Sequence, residues 1–214
     1  MTSPASSRIS SSRPASPGGG ADSFKRRVVA TPEKPLRLDN GSSLDHVEIA
    51  YETYGALSPR RDNVVVICHA LTGDQFVASA NPSTGLEAWW PRMVGPGKPI
   101  DTNRFHVICT NILGGCMGST GPSSVREEGR VWALDFPYLT VADMVRAQIA
   151  LLDVLGIDEV FLCAGGSLGG MQVLEWAIQA GDRLHAALPI ATAARQSAQN
   201  IGFYEFGRQA IMAD

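Results

Sequence analysis

Apolar residues along this chain gather in short dense runs set between longer mixed segments. Residues 63–68 (NVVVIC), 105–109 (FHVIC) and 160–163 (VFLC) are such runs. They have the length and β-branched content of strands buried on both faces of a parallel sheet. Residues 44–54 alternate instead, placing Val47, Ile49 and Tyr51 on one side, which predicts a half-exposed strand. A different period runs through residues 140–155. There Val141, Met144, Val145, Leu151, Leu152 and Leu155 keep a spacing of three to four, as one face of a helix does. Thr140 and Asp143 have capping-box spacing at its start, and Gly156 ends it. Residues 171–180 again have helical composition and close at Gly181, and residues 184–190 return to strand character. Strands alternating with helices predict right-handed crossovers and a mostly parallel, doubly wound sheet.

Between the strand at 160–163 and the helix at 171–180 stands Gly165-Gly166-Ser167-Leu168-Gly169-Gly170. A strand, a tight glycine turn with serine at its apex, and a following helix make the nucleophile elbow of α/β-hydrolases. The turn strains the serine backbone, and small residues at Gly165 and Gly169 let the chain pass itself. Ser167 is therefore the candidate nucleophile. Its hydroxyl is expected at a helix N-terminus, where the dipole and free N–H groups favour developing negative charge. In such sheets the site lies outside the carboxyl ends of the strands. His69-Ala70-Leu71-Thr72-Gly73-Asp74 and Asn111-Ile112-Leu113-Gly114-Gly115-Cys116 both follow strand ends. The first is the natural source of a second oxyanion donor, so the backbone N–H groups of Leu71 and Leu168 are expected to hold the oxyanion.

Composition acts mainly by exclusion. A chain of 214 residues, 44% hydrophobic and 18% charged, is long enough for one substantial core. A net charge of −3 without a basic stripe argues against nucleic acid as a partner. No apolar run approaches the roughly 18–20 residues that span a bilayer, so a soluble protein with no membrane partner is expected. Cys68, Cys109, Cys116 and Cys163 lack metal-type pairing, and no metal site is expected. Three of them read as small buried hydrophobes in a reducing cytosol, whereas Cys116 lies in a glycine-rich loop and could be reactive. The opening stretch MTSPASSRISSSRPASPGGGA is rich in Ser, Pro and Gly and has no acidic residue. Residues 1–22 are expected to form a disordered extension, with a transit peptide as the alternative.

Longer blocks narrow the reading. His69 to Asp74, Trp89-Trp90, Val94-Gly95-Pro96-Gly97-Lys98, and Gly114-Gly115-Cys116-Met117-Gly118-Ser119-Thr120-Gly121-Pro122-Ser123-Ser124 occur in that order. Asp135-Phe136-Pro137, Gly165 to Gln172, and Gly207-Arg208-Gln209-Ala210-Ile211 follow. Together, over roughly residues 36–214, they closely resemble homoserine O-acetyltransferase of methionine biosynthesis. That resemblance implies that Ser167 takes an acetyl group from acetyl-CoA and passes it to the hydroxyl of L-homoserine by double displacement. It implies acetyl-CoA as a co-substrate and no permanently bound cofactor. It also implies a cytoplasmic enzyme that is a homodimer at full length. Leu168 stands where the family usually has methionine, a mild change because the backbone N–H does the work. Residues 125–133 (VREEGRVWA) do not match the family's usual segment.

The triad order in this superfamily is Ser, then Asp or Glu, then His. After Ser167 the only histidine is His185, poorly placed for a base, and Asp182 and Asp214 are poor acids. The resemblance puts the triad Asp and His, a helical lid and a substrate-binding arginine beyond residue 214. Residues 23–214 are thus expected to be an incomplete α/β-hydrolase domain, lacking C-terminal strands and lid and inactive alone. His69 is expected to shape the oxyanion loop, and His46 and His106 to be surface or satisfied positions. Trp89 and Trp90 are read as core packing or an acyl-pocket wall. The loop at 114–124 is read as structural, without the ending of a phosphate loop. Arg208 is assigned a structural role over a substrate contact. Serine as acceptor, succinyl-CoA as donor, simple ester hydrolysis, and a non-catalytic partner-binding domain remain open.

Overall fold

The computed structural model describes residues 25–126 and 128–213. The expected extension at 1–22 and Asp214 lie outside the described residues. A six-stranded sheet is built from β1 (Lys25–Ala30), β2 (Val47–Tyr54), β3 (Val64–Cys68), β4 (His106–Thr110), β5 (Leu162–Gly166) and β6 (Ala187–Ile190). Their spatial order is β1-β2-β4-β3-β5-β6. The four strands from β4 to β6 run parallel, and β1 and β2 join antiparallel at one side. Three helices are described: α1 (Val141–Val154), α2 (Leu168–Gln179) and α3 (Ala198–Met212).

Alternate residues of the sheet feed two cores. Val64, Val66, Cys68 and Cys163 meet Val145, Leu151 and Leu152 of α1 and Val173 and Trp176 of α2. Val65, Ile67, Val107 and Ala164 face the other way, where Val77, Trp89, Trp90, Val94 and Ile100 cover them. That second cover is the long irregular segment between β3 and β4, with no helix in it. The two tryptophans stack at 5.7 Å and lie partly buried against this core, the packing alternative of the two roles read for them.

The strongly periodic elements form as their patterns predict. The capping box of α1 is complete: Asp143 N–H donates to the Thr140 hydroxyl at 3.1 Å, and Thr140 N–H donates to the Asp143 carboxylate at 2.9 Å. Other expectations need correction. Strand β2 buries Val47, Ile49 and Tyr51 and leaves Glu48 and Glu52 partly exposed, as expected, but Ala50 is buried as well. It has a paired strand on each side, and the 111–120 loop bonds to it through Ser119 and Thr120. Helix α2 starts at Leu168, not Met171, and β5 runs over Leu162–Gly166, so the glycines around Ser167 belong to the elements they connect. The sequence pattern announces neither β1 nor α3. The first has a charged start, KRR, as edge strands often do. The second carries Gly202 and Gly207 in its interior, which break the helical signal.

Candidate active site

Strand β5 ends at Gly166 and α2 begins at Leu168, so a single residue turns the chain. That residue is Ser167, with φ 56° and ψ −120°. A non-glycine residue held there costs about 1–3 kcal/mol and needs neighbours that over-determine it. They are present. A Cβ on Gly165 would stand 2.6 Å from the Cys68 carbonyl oxygen, and one on Gly169 would overlap that same oxygen. Only glycine lets the start of α2 press against the end of β3. From the other side, Ser167 N–H donates to the Ile190 carbonyl at 3.1 Å, and the Thr192 hydroxyl donates to the Ser167 carbonyl at 2.9 Å. Sequence reasoning does not find Thr192, whose contact depends on β6 lying beside β5.

The Ser167 side chain is exposed and does not cap α2. It opens onto a cleft of about 250 Å³ whose other walls include Met171, Thr192, Gln196, Asn200 and Tyr204. Leu168 is the first residue of α2, so its N–H has no acceptor within the helix and points along the positive end of the dipole.

The segment after β3 reaches the same place because Cys68 pairs with Gly165 across the two strands. His69 is 1% exposed and anchors this segment. Its Nδ1 lies 2.7 Å from the Ala70 carbonyl, and its Nε2 accepts from the Ile112 N–H at 3.2 Å. Those partners define the Nδ1–H tautomer, and burial lowers the pKa, so the ring is neutral. With both nitrogens engaged, His69 shapes the loop and cannot serve as a base. Two residues on, the Leu71 side chain is 68% exposed. Asp74 holds the remainder, accepting from the Phe76 N–H and the Asn81 amide while its carbonyl takes the Trp89 indole N–H.

Among the described residues no other histidine approaches Ser167. His185 precedes β6 and pairs with Glu159 at 3.4 Å. Its N–H bonds to the Val160 carbonyl, seven positions before Ser167 along extended chain and therefore roughly 20 Å away. His106 opens β4 at that same end of the sheet, with Nδ1 3.0 Å from the Gly55 carbonyl. His46 precedes β2, three strands from β5. Asp182 lies in the turn that follows α2. Arg208 pairs with Glu205 on exposed α3 rather than capping the sheet. The 114–124 loop spends its donors on neighbouring protein groups: Met117 and Ser119 N–H groups go to the Asn111 amide oxygen, Gly114 N–H to the Thr120 carbonyl and Thr120 N–H to the Glu48 carbonyl of β2. It is structural.

Cys68, Cys109 and Cys163 are buried and Cys116 is exposed. Burial pushes the Cys109 and Cys163 thiols well up, which makes them inert packing groups. Among the described residues no cluster of three His, Cys, Asp or Glu side chains could hold a metal ion. No described helix is long and apolar enough to cross a membrane. A larger cavity, about 730 Å³, lies beyond β2 and is lined by Asp45, His46, Glu48, Arg126 and Trp132 among others. It is remote from the serine and mixed in charge.

Known proteins share this arrangement. Residues 63–205 match the model of a family described as alpha/beta hydrolase fold. Homoserine O-acetyltransferase of Mesorhizobium japonicum is 57% identical over 183 residues, 85% of this chain and 47% of that relative. The crystal structure of homoserine O-acetyltransferase from Bacillus anthracis superposes with a TM-score of 0.65 at 34% identity, covering 73% of this chain and 43% of that one. That of esterase E22 gives 0.77 at 30% identity, with 86% and 51% covered. The chain is thus homologous to homoserine O-acetyltransferases and spans about half the length of the curated relatives it matches. It belongs to the alpha/beta hydrolase fold family.

Proposed function

We propose that this chain carries the nucleophile and oxyanion hole of an acyltransferase that moves an acetyl group from acetyl-CoA to the hydroxyl of L-homoserine. The observation that carries this reading is Ser167, held at φ 56° on the elbow between β5 and α2 with its side chain open to a cleft. Its Oγ attacks the thioester carbonyl, a base takes the hydroxyl proton, and the tetrahedral oxyanion sits between the N–H groups of Leu168 and Leu71. Collapse expels the CoA thiolate, which receives that proton, and leaves an acetyl ester on Ser167. The homoserine hydroxyl then attacks the ester as the base takes its proton. A second collapse returns the proton to Oγ and frees O-acetylhomoserine.

No described group stands where the base must be, and the resemblance to homoserine O-acetyltransferases implies a triad Asp and His beyond residue 214. Acetyl-CoA is a co-substrate, and no cofactor stays bound. The complete enzyme is a cytoplasmic homodimer acting in methionine biosynthesis. Its relatives' name supports the acceptor and the acetyl group; acetyl-CoA as the donor is what the resemblance to that family implies.

One observation favours a second reading. The likeness to esterase E22 fits an elbow whose acyl-enzyme is discharged by water, because the same serine and oxyanion hole serve either acceptor. The full-length protein mixed with acetyl-CoA decides. Transfer predicts CoA release that depends on homoserine and saturates with it, whereas fast release indifferent to homoserine would make the protein a hydrolase. Residues 1–214 alone are expected to show no turnover, because no base stands near Ser167 among the described residues.

A further inference from the structure

Behind the elbow, on the side away from the cleft, three side chains from two helices form a buried hydrogen-bonded line. Trp176 and Gln172 of α2 are 0% exposed and Gln148 of α1 is 1% exposed. The Trp176 indole N–H donates to Gln148 Oε1 at 2.7 Å. Gln148 Nε2 donates to Gln172 Oε1 at 2.7 Å. Gln172 Nε2 donates to the His69 carbonyl and the Leu168 carbonyl, each at 3.3 Å. The Cys68 thiol also approaches Gln148 Oε1, at 3.8 Å.

This line has one direction. An indole N–H can only donate, so it forces Gln148 to turn its oxygen toward Trp176 and its NH₂ toward Gln172. Gln172 must then present its own oxygen to Gln148 and its NH₂ to the two carbonyls. Flipping either amide would set donor against donor in a dry interior, where an unmet polar group is strongly disfavoured. The last donor therefore has a fixed aim. Its two acceptors belong to the residue two before Leu71 and to Leu168 itself, the pair whose N–H groups form the proposed oxyanion hole. On the solvent side the Leu71 side chain is exposed and gives the segment no comparable anchor.

Resting on the Ser167 acyl-enzyme reading, we infer that Gln172, oriented by Gln148 and Trp176, is a positioning residue that ties the His69–Leu71 segment to the start of α2 and so sets the spacing of the two oxyanion donors. It touches neither substrate nor the reacting atoms. Its effect falls on kcat, because the oxyanion exists only in the transition state.

The test is steady-state kinetics of the full-length protein carrying Gln148→Met with Gln172→Met. Methionine keeps the volume of each glutamine, so packing is retained, but the Trp176 N–H and the His69 carbonyl lose their partners, which lowers stability, and the tie to His69 is lost. The expected result is a cooperative melt with a lowered midpoint, KM little changed and kcat, measured well below that midpoint, down about tenfold to hundredfold, the scale of a misplaced or lost oxyanion donor. A wild-type kcat in this folded double variant overturns the inference. Should the double variant not fold, Gln172→Glu gives a second readout. A protonated carboxyl can still donate to the His69 carbonyl, whereas a carboxylate has no donor. Its kcat relative to wild type must rise as pH falls, and an unchanged ratio across pH overturns the inference. Ser167→Ala in the same assay separates the two claims: full transfer without the serine refutes the acyl-enzyme reading itself, whatever the glutamines do.

Discussion

Helices α2 and α3 are of similar length and similarly rich in apolar residues, yet they live in opposite surroundings. In α2 the residues Gly169, Gly170, Gln172, Val173 and Trp176 are buried, and the helix packs on β3, β5, β6 and α1. In α3 no residue is buried, and Phe203, Tyr204, Phe206, Ile211 and Met212 all stand open. Ser167 sits on the seam between them. Everything behind it is packed and hydrogen-bonded, whereas the cleft wall in front is α3. A strained residue such as Ser167 needs the first surrounding for its geometry; the proposed substrate cleft is built from the second.

The sharpest break in this contrast should come from the crowded side. Gly169→Ala places a methyl group into the Cys68 carbonyl oxygen, where backbone has to move. A loss of about 3 kcal/mol or more is expected, read as a fall in the denaturant midpoint. An unchanged midpoint would show that α2 does not bear on β3 as described.

Next in size is a matched pair of truncations. Trp176→Ala removes a fully buried ring and the donor that orients Gln148, for about 3–5 kcal/mol. Phe206, 76% exposed on α3, should cost no more than about 0.5 kcal/mol when changed to Ala in this 214-residue chain. Chemical denaturation of both variants measures the gap. Equal losses would erase the distinction between the two helices.

The smallest effect is a dependence on pH. The buried neutral ring of His69 has a pKa lowered by desolvation, so the unfolded chain binds a proton before the folded one does. Its contribution to stability is complete above the ordinary histidine pKa, about 6.5, and is lost as pH falls from there through the lowered value. Wild type should therefore lose its stability advantage over His69→Asn as pH is taken from 7.5 toward 5 in thermal melts. A gap that stays constant would mean that folding leaves the His69 pKa unshifted.

The same contrast explains how much of the molecule was legible in its sequence. Strands β3 and β4 and helix α1 announce themselves because their patterns answer to burial, the strongest local constraint on residue choice. The elbow was legible because steric crowding permits only glycine at Gly165 and Gly169. Helix α3 was not, since its apolar residues face no partner among the described residues and its two glycines interrupt the period. Strand β1 hid behind a charged edge. The line from Trp176 to His69 could not be read from spacing, because Gln148 and Gln172 meet only after α1 and α2 have packed on the same face. A base for the proposed reaction has no signal among the described residues, and the geometry around His69 and His185 shows why neither stands in for it.

The central claim is that Ser167 carries the acetyl group between donor and acceptor. It is tested most directly by quenching the full-length protein after brief mixing with acetyl-CoA and mapping the adduct by peptide mass spectrometry. The expected result is one acetyl group on the peptide containing Ser167, absent from Ser167→Ala and discharged when homoserine is added. No adduct at this residue during homoserine-dependent turnover, or the same adduct elsewhere in Ser167→Ala with activity retained, would contradict it.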